Sequence, residues 1–227
     1  MRKTTHINHW LDVKDLADAK YKIITGPDFD KDTARDMERI KENLDIKTTD
    51  NVLDFGCGIG RLLKPVSKLC HQVVGVDISE GMIGYGLEYC KDNENILFKA
   101  MQSETAIPIG SDLVDKIYSF IVLQHTEKHK AFKILCELCR TLKTGGKILI
   151  QYPDIKQEVY FTYMMAREEH GLNQPILEFY TKEELKRIFE FLKLKVIDIK
   201  AEGTDWYVLA EKTEPTGYPP NMFLKAK

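Results

Sequence analysis

The sequence has no apolar run long enough to cross a lipid bilayer. The longest such run extends from Ile117 to Leu123 and is interrupted by Ser119, whereas a membrane-spanning helix needs about 20 apolar residues. The first residues, Met1 to His6, include no apolar segment of the kind that secretory signals carry. We therefore predict a protein that does not enter the membrane and that resides in the cytoplasm.

An excess of positive charge is also lacking. Lysine and arginine number 33, aspartate and glutamate number 35, and the formal net charge is -2. Proteins that bind nucleic acids usually carry a basic excess or a basic stripe. Since the sequence has neither, a nucleic-acid partner is not expected.

Cysteine and histidine patterns that bind metals are scarce. Of the five cysteines, Cys136 and Cys139 form a CxxC, but no second CxxC or histidine pair completes a tetrahedral site, and no HExxH is present. We favour a structural role for both, as two small core residues on one helix face. We predict no metal, and the odd cysteine count without a signal indicates reduced thiols.

The chain has the size and composition of one α/β unit. It has 227 residues, of which 43% are hydrophobic, enough for a substantial core. Residues 1–45 are predicted to form an N-terminal helical cap, with one helix near Trp10 to Tyr21 and another near Thr33 to Leu44. Residues 46–227 then alternate between strands and helices, which predicts a doubly wound, mostly parallel sheet.

The predicted elements are short and regularly spaced up to residue 151. Predicted strands are 51–55, 72–77, 95–99, 113–120, 147–151, 194–199 and 205–211; predicted helices are 61–69, 79–90, 130–142, the last ended by Gly145-Gly146, and one opened by the capping box Thr181/Glu184. Residues 154–178 are too long for a plain connection, since such loops usually have about 2–6 residues. We predict a lid-like insertion there.

A glycine loop follows the first predicted strand. Gly56, Gly58 and Gly60 lie between a strand and a helix, where glycines let a ligand approach the backbone and a helix N-terminus offers unpaired N–H groups. The dinucleotide motif GxGxxG would need glycine at Arg61. Asp54, just before the loop, would repel a pyrophosphate but suits an ammonium or sulfonium charge. The loop therefore favours an amino-acid-like cofactor over NAD.

Asp77 ends the second predicted strand, beside the glycine loop in a doubly wound sheet. A carboxylate at this position accepts hydrogen bonds from both hydroxyls of a ribose. The alternative is a solvated or helix-capping aspartate. We predict the ribose role, because the strand end, the spacing and the glycine loop agree.

Together these segments resemble the class I S-adenosylmethionine-dependent methyltransferases. The resemblance covers residues 51–212 and rests on five matches: Val52 to Arg61, Val73 to Ser79 with Met82, Ile107-Pro108, Asp115 to His125, and Arg140 to Gly146. It implies a seven-stranded sheet with the last strand antiparallel, and S-adenosylmethionine as the cofactor.

The resemblance also implies positions for the parts of the cofactor. Gly56, Gly58 and Gly60 would line its methionine part, and Ile78 and Met82 would flank its adenine. The Phe120 carbonyl would lie near the methionine ammonium, and Gln124 belongs to the same segment. The family often has an acidic residue that bonds the adenine amine; here Gln102, Ser103 and Glu104 are the three candidates.

Candidates for the chemistry and for the acceptor are less well defined. His125 is placed at the carboxyl edge of the sheet, where it is either a general base or a structural hydrogen-bonding residue. Aromatic and methionine side chains suited to acceptor walls, or equally to ordinary core packing, crowd the insertion and the cap; we predict substrate contacts at Tyr21, Tyr152, Tyr160, Tyr163 and Met164.

We predict an enzyme that transfers a methyl group from S-adenosylmethionine to a small molecule. Methyl transfer is an in-line displacement in which the protein mainly aligns the reactants. One alternative is a non-catalytic or partner-dependent protein that binds the same cofactor. Another is a nucleotide-dependent oxidoreductase, which Asp54 and Arg61 disfavour. The acceptor atom and the oligomeric state do not follow from the sequence.

Overall fold

The computed structural model describes residues 8–11, 29–170 and 176–215. Its strands are β1 Asn51–Phe55, β2 Gln72–Asp77, β3 Ile96–Ala100, β4 Val114–Ser119, β5 Leu142–Pro153, β6 Leu194–Glu202 and β7 Asp205–Lys212. Its helices are α1 Asn8–Leu11, α2 Phe29–Leu44, α3 Leu63–Val66, α4 Glu80–Tyr89, α5 Lys128–Thr141, α6 Glu158–His170 and α7 Lys182–Phe191, with a 3-10 turn at Leu123–His125.

The seven strands form one sheet in the order β3-β2-β1-β4-β5-β7-β6. Strands β1 to β5 pair in parallel, and β7 is antiparallel to both of its neighbours, β5 and β6. This confirms the predicted seven-stranded fold with an antiparallel last strand. The strand order reverses between β1 and β4, and open α/β sheets bind ligands at the carboxyl ends of such a pair.

Both faces of the sheet are covered by apolar helix faces. On one face, Ile40 and Leu44 of α2 pack with Val52, Tyr118 and strand residues of β5 and β7. On the other, buried residues of α5 and α7 pack against the alternate strand positions, among them Leu53 and Ile148. Successive strand residues point to opposite faces of the sheet. Because both faces are covered, nearly every residue of a central strand is apolar, and this accounts for the apolar runs in the sequence.

The helix predicted at residues 61–69 is shorter in the structure. Only Leu63–Val66 is α-helical, with turns on both sides. Pro65 has no N–H to donate to the Arg61 carbonyl, so one backbone bond is missing where the predicted helix would begin. The glycine loop is therefore not followed directly by the long helix whose N-terminus was expected to bind an anion.

The start of β5 also differs from the prediction. The strand begins at Leu142, directly after α5, and includes the Gly145-Gly146 pair that was expected to end the helix. Gly145 has φ +83°, and the pairing register with β4 shifts between Val114 and Lys116. A glycine in the left-handed region and a register shift are features of a β-bulge, so the glycines bend the strand.

The insertion at residues 154–178 contains a helix, α6. The Tyr160 hydroxyl donates to Asp205 Oδ1 at 2.8 Å, and its ring packs on Phe179 at 5.0 Å between centroids. These contacts join α6 to the start of β7. The assignment of the insertion as a lid stays a prediction, as do the domain boundaries at 45 and 46.

The segment after the insertion follows the sequence prediction closely. The capping box forms at α7, where Thr181 Oγ1 accepts from the Glu184 amide at 3.1 Å and Glu184 accepts from the Thr181 amide at 2.8 Å. Strands β6 and β7 form the expected hairpin, which turns at Gly203 with φ +61°. Within the described ranges, no helix combines the length and the apolar character needed to span a membrane.

Candidate functional site

A cavity opens at the carboxyl ends of β1, β2 and β4, where the strand order reverses. It encloses about 1120 Å³ of space, its open mouth included. The lining residues come from the end of β1 and the glycine loop, the ends of β2, β3 and β4 with the segments after them, the 3-10 turn, and α1, α4 and α5: Trp10, Asp54, Phe55, Gly56, Cys57, Gly58, Arg61, Leu62, Asp77, Ile78, Met82, Met101, Glu104, Phe120, Ile121, Val122, His125, Thr126 and Ile134.

The glycine loop forms the floor of this cavity. Gly56, Gly58 and Gly60 have φ values of +77°, +53° and +81°, in the left-handed region that glycine adopts without steric cost. A Cβ built on Gly56 would lie 2.2 Å from Val122 Cγ2, so glycine is also needed for contact with the loop after β4. Gly60 does not line the cavity; it faces Cys90 and Phe98 behind the loop.

Asp77 joins the glycine loop to β2. Its Oδ2 accepts from the Gly58 amide at 2.8 Å, and its Oδ1 accepts from the Ser79 amide at 2.8 Å. Burial raises the pKa of the Asp77 carboxyl, and the backbone hydrogen bonds partly offset this. Each oxygen keeps a second lone pair, so the carboxylate is able to accept from ribose hydroxyls while it fixes the loop.

Asp54 lies at the end of β1, buried at 4% exposure, and lines the cavity. Burial raises the pKa of its carboxyl to about 7; the Tyr118 hydroxyl and Arg61 oppose this shift, and Asp77 adds to it. A positively charged ligand favours the ionised carboxylate. Asp54 is thus placed to act as the counter-ion of a cation in the cavity. Without such a cation, the ionised carboxylate lowers the stability of the folded protein.

We expect Asp54→Asn to stabilise the ligand-free protein above pH 7 and to weaken binding of S-adenosylmethionine. A raised folded-state pKa means that stability is fully present below the ordinary carboxyl pKa and is lost as pH rises through about 7. The neutral amide avoids this loss, which is on the order of a few kcal/mol. Melting temperatures of both proteins at about pH 5 and pH 8 test this; an equal difference at both pH values contradicts it.

The side of the cavity near β2 and β3 has the residues expected at an adenine. Ile78 and Met82 both line it, together with Met101. Of the three candidates for the amine contact, only Glu104 lines the cavity. Gln102 and Ser103 are exposed, and the Ser103 hydroxyl accepts from the Ala106 amide at 3.2 Å. This local turn keeps Gln102 and Ser103 away from the cavity.

The opposite side is formed by the segment after β4. Phe120 lines the cavity as expected, and Ile121 follows it with φ +61°. His125 lies at 5.0 Å, between ring centroids, from Trp10 of α1, and its Nδ1 is 2.9 Å from the Ile176 carbonyl. Gln124 lies just outside the lining, with its side-chain oxygen buried and without a hydrogen bond in the described part of the chain.

The residues predicted to contact the acceptor lie elsewhere. Tyr152 is buried in the core against Tyr180 and Phe189, at centroid distances of 4.7 and 6.5 Å. Tyr160 is bonded to the β7 start, Tyr163 is half-buried on α6, and Met164 is exposed there. None of these four lines the cavity: Tyr152 points into the core from β5, and α6, which carries the other three, is joined through Tyr160 to the start of β7. Tyr21 lies outside the described residues.

Several cavity residues were not predicted from the sequence. Trp10 and Ile134 come from helices far apart in the chain, and only tertiary packing brings them together. Ile121 and Val122 lie within the segment Asp115 to His125 that was recognised in the sequence, and Thr126 follows it directly. These residues follow β4 at the point where the strand order reverses, and this position alone could have predicted that they line the cavity. In the described part of the chain, no cluster of three metal-ligating side chains is present.

The chemistry of the cavity fits S-adenosylmethionine. Two buried carboxylates, Asp54 and Asp77, line it together with Arg61, Glu104 and mostly apolar side chains, and they suit a ligand with a sulfonium, an ammonium and a ribose. A pyrophosphate beside Asp54 would meet a like charge. The residues present therefore suit the cationic cofactor, and Asp54 opposes a dinucleotide.

Comparison with known proteins agrees with this site. Residues 52–146 match the family described as a methyltransferase domain. The chain is 29% identical over 107 residues to the demethylmenaquinone methyltransferase of Tropheryma whipplei (strain Twist), which covers 47% of this chain and 43% of that protein. The chain thus matches less than half of the length of that relative. A Staphylococcus saprophyticus protein of the same name is 28% identical over 173 residues, 67% of this chain and 73% of that one.

A solved structure with the same fold is that of the PH0226 protein from Pyrococcus horikoshii OT3. It superposes with a TM-score of 0.68 at 17% identity and covers 85% of this chain and 97% of its own. The family match of residues 52–146, the sheet order and the carboxylate-bearing glycine-loop cavity all agree with the class I S-adenosylmethionine-dependent methyltransferases, which the sequence motifs resemble.

Proposed function

We propose that this protein transfers the methyl group of S-adenosylmethionine to an apolar small molecule. The observation that carries the proposal is the mixed lining of the cavity. Asp54, Arg61 and Asp77 bring charge to it, whereas the larger apolar surface comes from side chains that include Trp10, Phe120, Ile121, Val122 and Ile134. The charged groups suit the cofactor, and we assign the apolar side of the cavity, formed by these five residues, to the acceptor.

The chemical class of the acceptor follows from these walls. Aromatic and branched aliphatic side chains bind apolar, planar molecules, and few polar groups are needed to orient them. Relatives at 28–29% identity are named for demethylmenaquinone, a quinone. A quinone-like or phenolic ring is therefore our first candidate. The balanced charge of the chain gives no attraction for nucleic acid.

Bound S-adenosylmethionine supplies an electrophilic methyl group on a positively charged sulfur. The protein aligns the acceptor in line with the carbon–sulfur bond and excludes water from its apolar side. Where the acceptor has to lose a proton, we assign this proton to His125. A carbonyl only accepts, so the Nδ1 bonded to the Ile176 carbonyl carries hydrogen, and in the neutral ring Nε2 is then the basic nitrogen.

The test is a screen of phenols, hydroquinones and amines with the purified protein and S-adenosylmethionine. Mass spectrometry is expected to detect a gain of one methyl group on a ring-containing acceptor. His125→Asn is expected to lower kcat on that acceptor by about 100-fold and to leave S-adenosylhomocysteine affinity unchanged. Methylation of a protein or nucleic acid alone would contradict the proposal.

A cofactor-binding protein that needs a partner chain for activity is the second candidate. It predicts tight S-adenosylhomocysteine binding with no turnover on any acceptor in the screen.

The five cysteines of the chain are all unpaired thiols, as is usual in a reducing compartment, and we therefore propose that the protein works in the cytoplasm.

A further inference from the structure

Arg61 is the only permanently cationic side chain among the described residues that line the cavity. It is buried, at 5% exposure, at the end of the glycine loop. Its Nη2 donates to Asp36 Oδ2 at 2.7 Å, and its Nη1 lies 3.5 Å from Thr33 Oγ1. Both partners belong to α2, so a helix outside the matched family segment holds the guanidinium at the cavity wall.

The amides of the glycine loop are already used within the protein. The Gly56 and Cys57 amides donate to the Val76 carbonyl, at 2.7 and 3.2 Å. The Gly58 amide donates to Asp77 Oδ2 at 2.8 Å, and the Gly60 amide donates to the Cys57 carbonyl at 2.9 Å. An anionic group of the cofactor therefore does not find its donors in these four amides, although glycine loops of this kind commonly offer them.

The methionine part of the cofactor carries its carboxylate and its ammonium on the same carbon. The protein groups that bind them must therefore be neighbours. Asp54 and Arg61 both line the cavity, and Arg61 is close enough to lower the pKa of the Asp54 carboxyl. This pair presents an anion and a cation side by side at one end of the cavity.

The Arg61 guanidinium keeps donors for a further anion. Asp36 is buried and also binds Arg39, whose Nη1 donates to its Oδ1 at 2.7 Å, and Arg35 Nε lies 3.8 Å from the same oxygen. Arg39 is in addition paired with Glu202. Arg61 has N–H groups beyond those bonded to α2, and a planar guanidinium binds a carboxylate through two parallel hydrogen bonds.

We infer that Arg61 binds the α-carboxylate of S-adenosylmethionine, while Asp36 of α2 holds the guanidinium in place. The inference rests on the cofactor part of the proposed function and not on the acceptor. It makes α2 a part of the cofactor site, and it gives Arg61 a role that reaches beyond excluding a dinucleotide.

The experiment measures binding by calorimetry, without turnover, for two ligands. S-adenosylhomocysteine has the amino-acid part, and 5'-methylthioadenosine lacks it. Arg61→Gln is expected to weaken S-adenosylhomocysteine at least about tenfold and 5'-methylthioadenosine less than about twofold. Arg39→Gln is the matched control, because Arg39 is also buried and bonds the same Asp36 but does not line the cavity; it is expected to leave both affinities unchanged.

Equal weakening of both ligands by Arg61→Gln, or no weakening of either, overturns the inference. If that variant does not fold, Arg61→Lys keeps the charge and loses the paired donors, and an unchanged preference for S-adenosylhomocysteine then overturns it. Failure of the wild-type protein to bind either ligand contradicts the cofactor assignment instead. The two failures are therefore distinguishable.

Discussion

Replacing Gly56 with alanine is expected to reduce S-adenosylhomocysteine affinity by at least about 100-fold and to lower the melting temperature. The added Cβ would lie 2.2 Å from Val122 Cγ2 and 2.5 Å from its Cγ1. Val122 and Gly56 both line the cavity, so the clash is relieved only by moving one cavity wall. The φ of +77° adds backbone strain for any residue with a Cβ.

Two other glycines separate the clash from the strain. Gly145 has φ +83° with no atom within 4 Å of a built Cβ, and Gly84 of α4 also has open space around it. Gly145→Ala is expected to cost about 1 kcal/mol of stability with unchanged affinity. Gly84→Ala is expected to be neutral or slightly stabilising in a helix. If Gly56→Ala binds the cofactor as the wild type does, the loop does not form the floor of the site.

Asp77→Ala is expected to weaken S-adenosylhomocysteine by at least about tenfold, and by more if both ribose hydroxyls bond to it, since each charge-assisted bond contributes about 1.5–3 kcal/mol. The same change frees the Gly58 and Ser79 amides. Calorimetry with S-adenosylhomocysteine checks the affinity, and circular dichroism checks the fold.

Homocysteine serves as the ligand control for this variant. It has no ribose, so its weaker binding is expected to change little unless the loop itself has moved. An unchanged S-adenosylhomocysteine affinity in Asp77→Ala would place the ribose elsewhere in the cavity.

The sheet and the carboxylates were predictable because their signals are local. Asp54, Gly56 and Gly58 end the first strand or follow it directly, and this local pattern is enough to place them at one edge of the sheet. The same holds for Asp77 at the end of β2. Parallel strands bring their carboxyl ends together, so these residues meet without further information from the chain.

The apolar part of the cavity was not predictable, because distant elements form it. Trp10 of α1 and Ile134 of α5 both line the cavity, and no spacing in the sequence encodes this. The burial of Tyr152, in contrast, follows from strand alternation. Tyr152 shares a strand face with Ile148 and Ile150, both buried in the core beneath α5 and α7, and the alternation of β5 therefore directs it to the core.

Local backbone chemistry explains the remaining differences. The helix after the loop has only one turn, and Pro65 removes the backbone bond with which a helix from residue 61 would begin. The loop amides bond to β2 and to one another. The amide donors expected for the cofactor's carboxylate are thus internal contacts. The side chain at Arg61, considered in the sequence only as an obstacle to NAD, lines the cavity beside Asp54.

The central claim is that the cavity between β1 and β4 binds S-adenosylmethionine. The most direct measurement is a calorimetric titration of the purified chain with S-adenosylmethionine, S-adenosylhomocysteine and NAD in parallel. We expect both sulfur-containing ligands to bind and NAD to bind at least about 100-fold more weakly, because Asp54 repels a pyrophosphate and Arg61 stands where the dinucleotide motif has glycine. Tight binding of NAD with none of S-adenosylmethionine would contradict the account.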